Sequence, residues 1–173
     1  MKIAIEDSDV TASGGRGGFD FLHGDWTVRH RRLDRWGCGS RQWTESEGAA
    51  QTRPLLGGLC NVEEHWISGR PCGVALRSFD LAAGRWSIYW VNPADGLLGE
   101  PVHGGFDGDQ GWFEGDDRHE GRPVKVRFHW RRISSDAADW TQYFSFDGGE
   151  TWEANWIMEF RRFSPTADIK RRA

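Results

Sequence analysis

The side chains able to do chemistry in this sequence are few and scattered. Histidines stand at His23, His30, His65, His103, His119 and His129, and no pair has the spacing of an HExxH or other tight metal motif. Two short clusters join histidine to carboxylates, Glu63-Glu64-His65 and Asp116-Asp117-x-His119. Neighbours on a strand point to opposite faces, so in the first cluster only Glu63 and His65 can converge. Cys38, Cys60 and Cys72 contain no CxxC pair and no cysteine with a histidine poised as its base, which reads as free thiols in a reducing compartment. Gly-x-Ser-x-Gly is missing too, so nucleophilic catalysis has no support. The expectation is no catalytic residue and no metal. Glu45 and Glu64, each expected to face solvent, would meet inside a barrel only if strand phase turned them inward.

Whatever these groups do, strands must position them. Eleven tryptophans and ten phenylalanines against two tyrosines and two methionines make the apolar volume largely aromatic, and aromatic side chains favour strands. Alternation of large apolar and polar residues recurs over 26–33, 41–52, 59–67, 71–79, 85–91, 102–106, 111–116, 123–133, 140–146 and 152–163. Turn residues separate nearly all of these runs, among them Ser68-Gly69-Arg70, Asp107-Gly108-Asp109 and Asp147-Gly148-Gly149. The run 85–91 reads as buried on both faces, and Trp152, Ala154, Trp156, Met158 and Phe160 read as sharing one face. Glycines in 102–116 imply a sharply bent or closely packed strand pair. No stretch has helical period. The pattern predicts an all-β protein: a single antiparallel up-and-down barrel of about ten strands, with no open edges.

The chain length of 173 residues fits one domain. Its expected organisation is a flexible N-terminal arm over 1–18, the barrel over 19–163, and a tail over 164–173. Net charge is −4, with 22 basic residues dispersed among 26 acidic ones, so no nucleic-acid surface is expected. The start lacks a secretory signal, and no apolar run approaches the roughly 20 residues that span a membrane. The expectation is a cytoplasmic protein without membrane partners; a homodimer is compatible with the sequence.

The ordered set Phe21-Leu22-x-Gly24-x-Trp26, Arg77-Ser78-Phe79-Asp80 with Gly84-Arg85-Trp86, Tyr89-Trp90-Val91, and Asp147-Gly148-Gly149-x-Thr151-Trp152 with Trp156 carries a resemblance. It resembles an uncharacterised, mainly bacterial lipocalin-like family, a domain of unknown function, within the calycin superfamily of lipocalins and fatty-acid-binding proteins. The resemblance implies a barrel capped by 19–24, with Trp26 pointing inward and an arginine of the Arg161-Arg162 pair packed across it. It implies no activity. Ser145-x-Asp147-x-Gly149-x-Thr151-Trp152 also resembles the Asp-box of sialidases, which braces a hairpin.

With Trp26 inward, the faces carrying Trp43, Trp66, Trp90, Trp130 and Trp156 become the expected interior. In one phase His30, Glu64 and Gln142 are then the inward polar groups. Together these eight residues form the expected ligand site. The functional expectation is non-catalytic binding of a small hydrophobic or aromatic molecule. The alternatives are a filled core, an isomerase or hydrolase using an inward carboxylate and histidine, and a haem protein with His30 or His65 as ligand. No other cofactor is expected.

Overall fold

The computed structural model describes residues 15–164, so most of the expected arm and tail lies outside the described residues. Ten strands follow one another: β1 (Gly24–Leu33), β2 (Trp43–Leu55), β3 (Cys60–Ile67), β4 (Arg70–Asp80), β5 (Arg85–Val91), β6 (Val102–Asp107), β7 (Gln110–His119), β8 (Arg122–Ser134), β9 (Ala137–Ser145) and β10 (Glu153–Arg162). Each pairs antiparallel with its sequence neighbour, and β10 returns to β1, closing the barrel. Among the described residues no helix is long and apolar enough to cross a membrane.

Turn chemistry explains the tight connections. Ser68 and Gly69 have φ of 51° and 75°, and Glu120 and Gly121 have 50° and 78°. Positive φ at both central residues is the condition for hairpin turns whose twist matches the strands they join. The β9–β10 turn is braced by one carboxylate. Asp147 accepts from the Ser145 hydroxyl at 2.7 Å, from the Thr151 amide at 2.9 Å, and from the Thr151 hydroxyl. These bonds hold its carboxyl well below the usual carboxylate range. The Asp-box resemblance therefore has a structural meaning here.

One end of the barrel is sealed by the segment before β1. A single 3-10 turn, Asp20–Leu22, places Phe19 and Leu22 fully inside. Phe19 meets Trp86 and Phe106 edge-on at 5.1 and 4.9 Å and stacks on Phe113 at 5.5 Å. Trp26 donates its indole N–H to the Leu22 carbonyl at 2.7 Å. The Arg162 guanidinium lies 3.9 Å over the Trp26 ring and donates to the carbonyls of Phe21 and His23. First strand, last strand and cap are thereby tied at one point. Residues 15–18 join this seal, for the Gly15 carbonyl accepts the Trp86 indole N–H at 3.2 Å.

The β5–β6–β7 wall is drawn in by glycine. A Cβ on Gly104 would lie 1.9 Å from the Trp112 carbonyl, so only a residue without a side chain fits. The face shared from Trp152 to Phe160 is interrupted. The register shifts between Ala154 and Trp156, which turns Asn155 inward and leaves Trp152 outside the strand, beneath the Arg127 guanidinium at 3.9 Å. In β5, Trp86 and Ile88 are buried while Ser87, Tyr89 and Val91 are half-buried, so one face of this strand carries the core.

Candidate functional site

The end opposite the cap is open. A cavity of about 670 Å³ enters there, bordered at its mouth by Arg32 and Trp36, by the β5–β6 connection and by the β7–β8 hairpin. Its inner wall carries Trp90 from β5, Phe128 and Trp130 from β8, Trp140 and Phe144 from β9, and Trp156 and Met158 from β10. Strand register explains the gathering: Trp156 lies opposite Gln142, Met158 opposite Trp140, and Trp140 opposite Trp130. Paired residues of antiparallel strands share a face. Trp156 meets Trp140 edge-on at 5.5 Å and Trp90 at 6.5 Å.

The wall built by β3 and β4 is charged. Glu63 is fully buried, and its Oε1 accepts from Arg77 at 2.7 Å and from His65 Nε2 at 2.6 Å. Its Oε2 accepts from the Thr52 hydroxyl at 2.6 Å. Burial alone would raise the Glu63 pKa, but the Arg77 guanidinium and His65 outweigh it and hold the carboxyl well below the usual range. Arg77 also donates to Asn61 at 3.0 Å and lies over Phe19 and Trp130, linking the cap to the cavity floor. With both oxygens engaged, Glu63 is a strut, and a buried ion pair is tolerated only when bonded in this way.

His30 and Gln142 make further polar contacts inside the barrel. The Trp156 indole donates to His30 Nδ1 at 3.2 Å, so the neutral ring carries its hydrogen on Nε2. Burial, then neighbouring His65 and Arg32, lower the His30 pKa to about 4. Gln142 donates to Asn155 at 2.9 Å, using the residue that the β10 bulge turned inward.

Of the eight residues expected to form the site, Trp90, Trp130, Gln142 and Trp156 border the cavity. His30 is inside the barrel but behind Trp156, with Nε2 directed at β2 where Gly48 leaves room for it. The placement of the other three is corrected. Trp43 lies opposite Leu33, one residue out of phase with the inward set Trp26, Val28, His30 and Arg32, and it packs under Arg31. Glu64 lies opposite Gln51, and Trp66 opposite Ala49, both on the outer phase of β3. Glu45 is outside as well, paired with Arg29 at 2.8 Å. The inward residues of β3 are Asn61, Glu63 and His65, all buried. Placing Trp66 and Glu64 inward puts β3 in the wrong phase. The polar run Asn61-x-Glu63-x-His65, with Arg77 two strand positions from Ala75 on the next strand, was the signal for a paired buried charge.

Among the described residues no three histidine, cysteine, aspartate or glutamate side chains gather as a metal group. All three cysteines are free; Cys72 borders the cavity, where burial pushes its thiol pKa up.

Fold and site together define a closed antiparallel β-barrel with one sealed end and an aromatic, partly charged cavity at the other. No family model matches the chain, and no curated protein matches it in sequence. Two solved structures are among those that share its architecture. Rv2717c from M. tuberculosis is 13% identical with a TM-score of 0.59, the match covering 84% of this chain and 95% of that one. A protein of unknown function from the DUF3598 family of Nostoc punctiforme PCC 73102 is 12% identical with a TM-score of 0.54. That match covers 84% of this chain and 49% of the Nostoc protein, so the chain spans about half its length. At such identities the likeness is one of fold.

Proposed function

We propose that this protein binds a small hydrophobic or aromatic molecule inside the barrel and does not act on it chemically. One observation carries the reading: an open cavity of about 670 Å³ walled by indole rings with a few fixed polar groups. That volume lies within the range of small-molecule sites, and apolar walls with sparse polar groups are their usual composition. A filled core would have left no such space. Glu63 and His65, the buried carboxylate and imidazole of the inner wall, are poorly suited to exchange protons with a substrate, since both Glu63 oxygens are engaged and one of them holds His65. The orientations of His30 and His65 favour an organic ligand over haem, since each directs Nε2 into the protein. The Arg162–Trp26 packing supports a lipocalin-like, calycin assignment, and the free thiols support a cytoplasmic location.

The test is a panel of neutral aromatic compounds added to purified protein, followed by tryptophan emission and melting temperature. Saturable quenching with a rise in Tm supports the reading, because a ligand at about 100 times its Kd adds roughly 2.7 kcal/mol to stability. No response to any member of a broad panel contradicts it.

A further inference from the structure

Beside Arg70 and Arg122, which are exposed at the open end, four arginines occupy inward registers of the barrel: Arg32, Arg77, Arg132 and Arg162. Three are engaged. Arg77 pairs with Glu63 at 2.7 Å, Arg132 with Asp109 at 3.3 Å, and Arg162 donates to the carbonyls of Phe21 at 3.0 Å and Ser135 at 3.2 Å. Arg32 differs from them. Its guanidinium lies 4.4 Å over Trp156 and 5.5 Å from the Trp36 ring, at the cavity mouth. Among the described residues it has no carboxylate at ion-pair distance and no hydrogen-bond acceptor. It is exposed, and the partial desolvation by the rings beside it lowers its pKa.

Arg32 is exposed at the mouth, and no described carboxylate of the wall compensates its charge. Stacking on indole rings is favourable for a guanidinium and leaves its N–H donors available to an anion. Among the described residues no rim carboxylate lies at ion-pair distance from Arg32: Glu100 is exposed, and three others are engaged elsewhere. Asp95 accepts the Leu97 amide at 3.0 Å, Asp117 the Arg118 amide at 2.7 Å, and Asp116 pairs with Lys125 at 3.1 Å. A guanidinium presents a planar fork of N–H donors, the geometry that matches a planar or tetrahedral oxyanion.

We propose that the ligand is an aromatic acid: a monoanion whose ring system lies among the indoles and whose carboxylate or related oxyanion is received at the mouth by Arg32. The proposal rests on the binding reading above and adds the ligand's charge and orientation to it. Arg32 is its specificity-determining residue, and no covalent step is involved.

Two fluorescent probes with one body separate the claims. They are 1-anilinonaphthalene-8-sulfonate, which carries an anion, and N-phenyl-1-naphthylamine, which does not. Each is titrated into the wild type, Arg32→Gln and Arg32→Lys. Arg32→Gln is expected to weaken the sulfonate about tenfold or more while changing the neutral probe by less than about twofold, with Arg32→Lys in between for the sulfonate. Retained binding of the neutral probe shows that the barrel of the variant is intact. Equal weakening of both probes, or an unchanged affinity for the sulfonate, overturns the assignment to Arg32 and leaves cavity binding standing. If neither probe binds the wild type, the binding reading itself fails, and this inference with it.

Discussion

Among single residues, His30 makes the clearest commitment. Its Nδ1 accepts the Trp156 indole N–H, so protonation at that nitrogen would break the bond and place a charge in the barrel wall. The folded pKa of about 4 lies below the ordinary value of 6.5, because burial disfavours the cation. The unfolded chain therefore binds more protons than the folded one between these values, and stability rises with pH across that window. The contribution is fully present above about pH 6.5 and is lost as pH falls to about 4, amounting to up to roughly 3 kcal/mol. Glu63 adds a loss of the same sign at lower pH, below the ordinary carboxylate value of about 4.3, since its folded pKa is depressed. His30→Phe is expected to flatten the slope of urea-unfolding free energy between pH 4 and 6.5; an unchanged slope would contradict the assignment. His30 was legible from the sequence as an inward residue of β1, because Trp26, Val28 and His30 alternate without interruption. Its concealment behind Trp156 was not, since that depends on the pairing of β1 with β10, a contact between residues 126 positions apart.

Elements account for what the sequence revealed unevenly. Strands with large apolar residues on one face only, such as β8 with Val124, Val126, Phe128 and Trp130, announce their phase. Strand β3 carries a tryptophan outside and a buried ion pair inside, and hydrophobic alternation gives it the opposite phase. A one-residue shift in phase exchanges every side chain between faces, which is why the tryptophan pattern points Glu64 and Trp66 inward in place of Glu63 and His65. Bulges do the same locally, as between Ala154 and Trp156. The close approach of β6 to β7 was legible as an excess of glycine, and it gives a sharp test. Gly104→Ala is expected to cost at least about 3 kcal/mol, because its methyl would meet a backbone carbonyl that cannot move aside without breaking the ladder. Denaturant titration measures this, and a loss below about 1 kcal/mol would mean that the strands are less tightly apposed.

For the whole molecule, the barrel's two ends divide its work. The sealed end gathers Phe19, Leu22, Trp26 and Arg162 into the closure of the fold, and the open end leaves its indoles around empty volume. The all-β meander was legible because every strand pairs with its neighbour in sequence, so turn spacing alone implied the topology. The cavity was not, because whether aromatic rings meet or stand apart depends on the barrel's width, which no single strand encodes. Binding in that cavity is the central claim. Ala75 borders it between Glu63 and Trp90 on the neighbouring strands, so Ala75→Phe would fill space without removing a polar partner. The direct measurement is energy transfer from protein tryptophan to N-phenyl-1-naphthylamine in the wild type and in Ala75→Phe, with circular dichroism confirming that the variant folds. The account expects saturable, one-to-one transfer in the wild type and at least about tenfold weaker binding in the variant. Absence of saturable transfer in the wild type, or equal affinity in a folded Ala75→Phe, would contradict it.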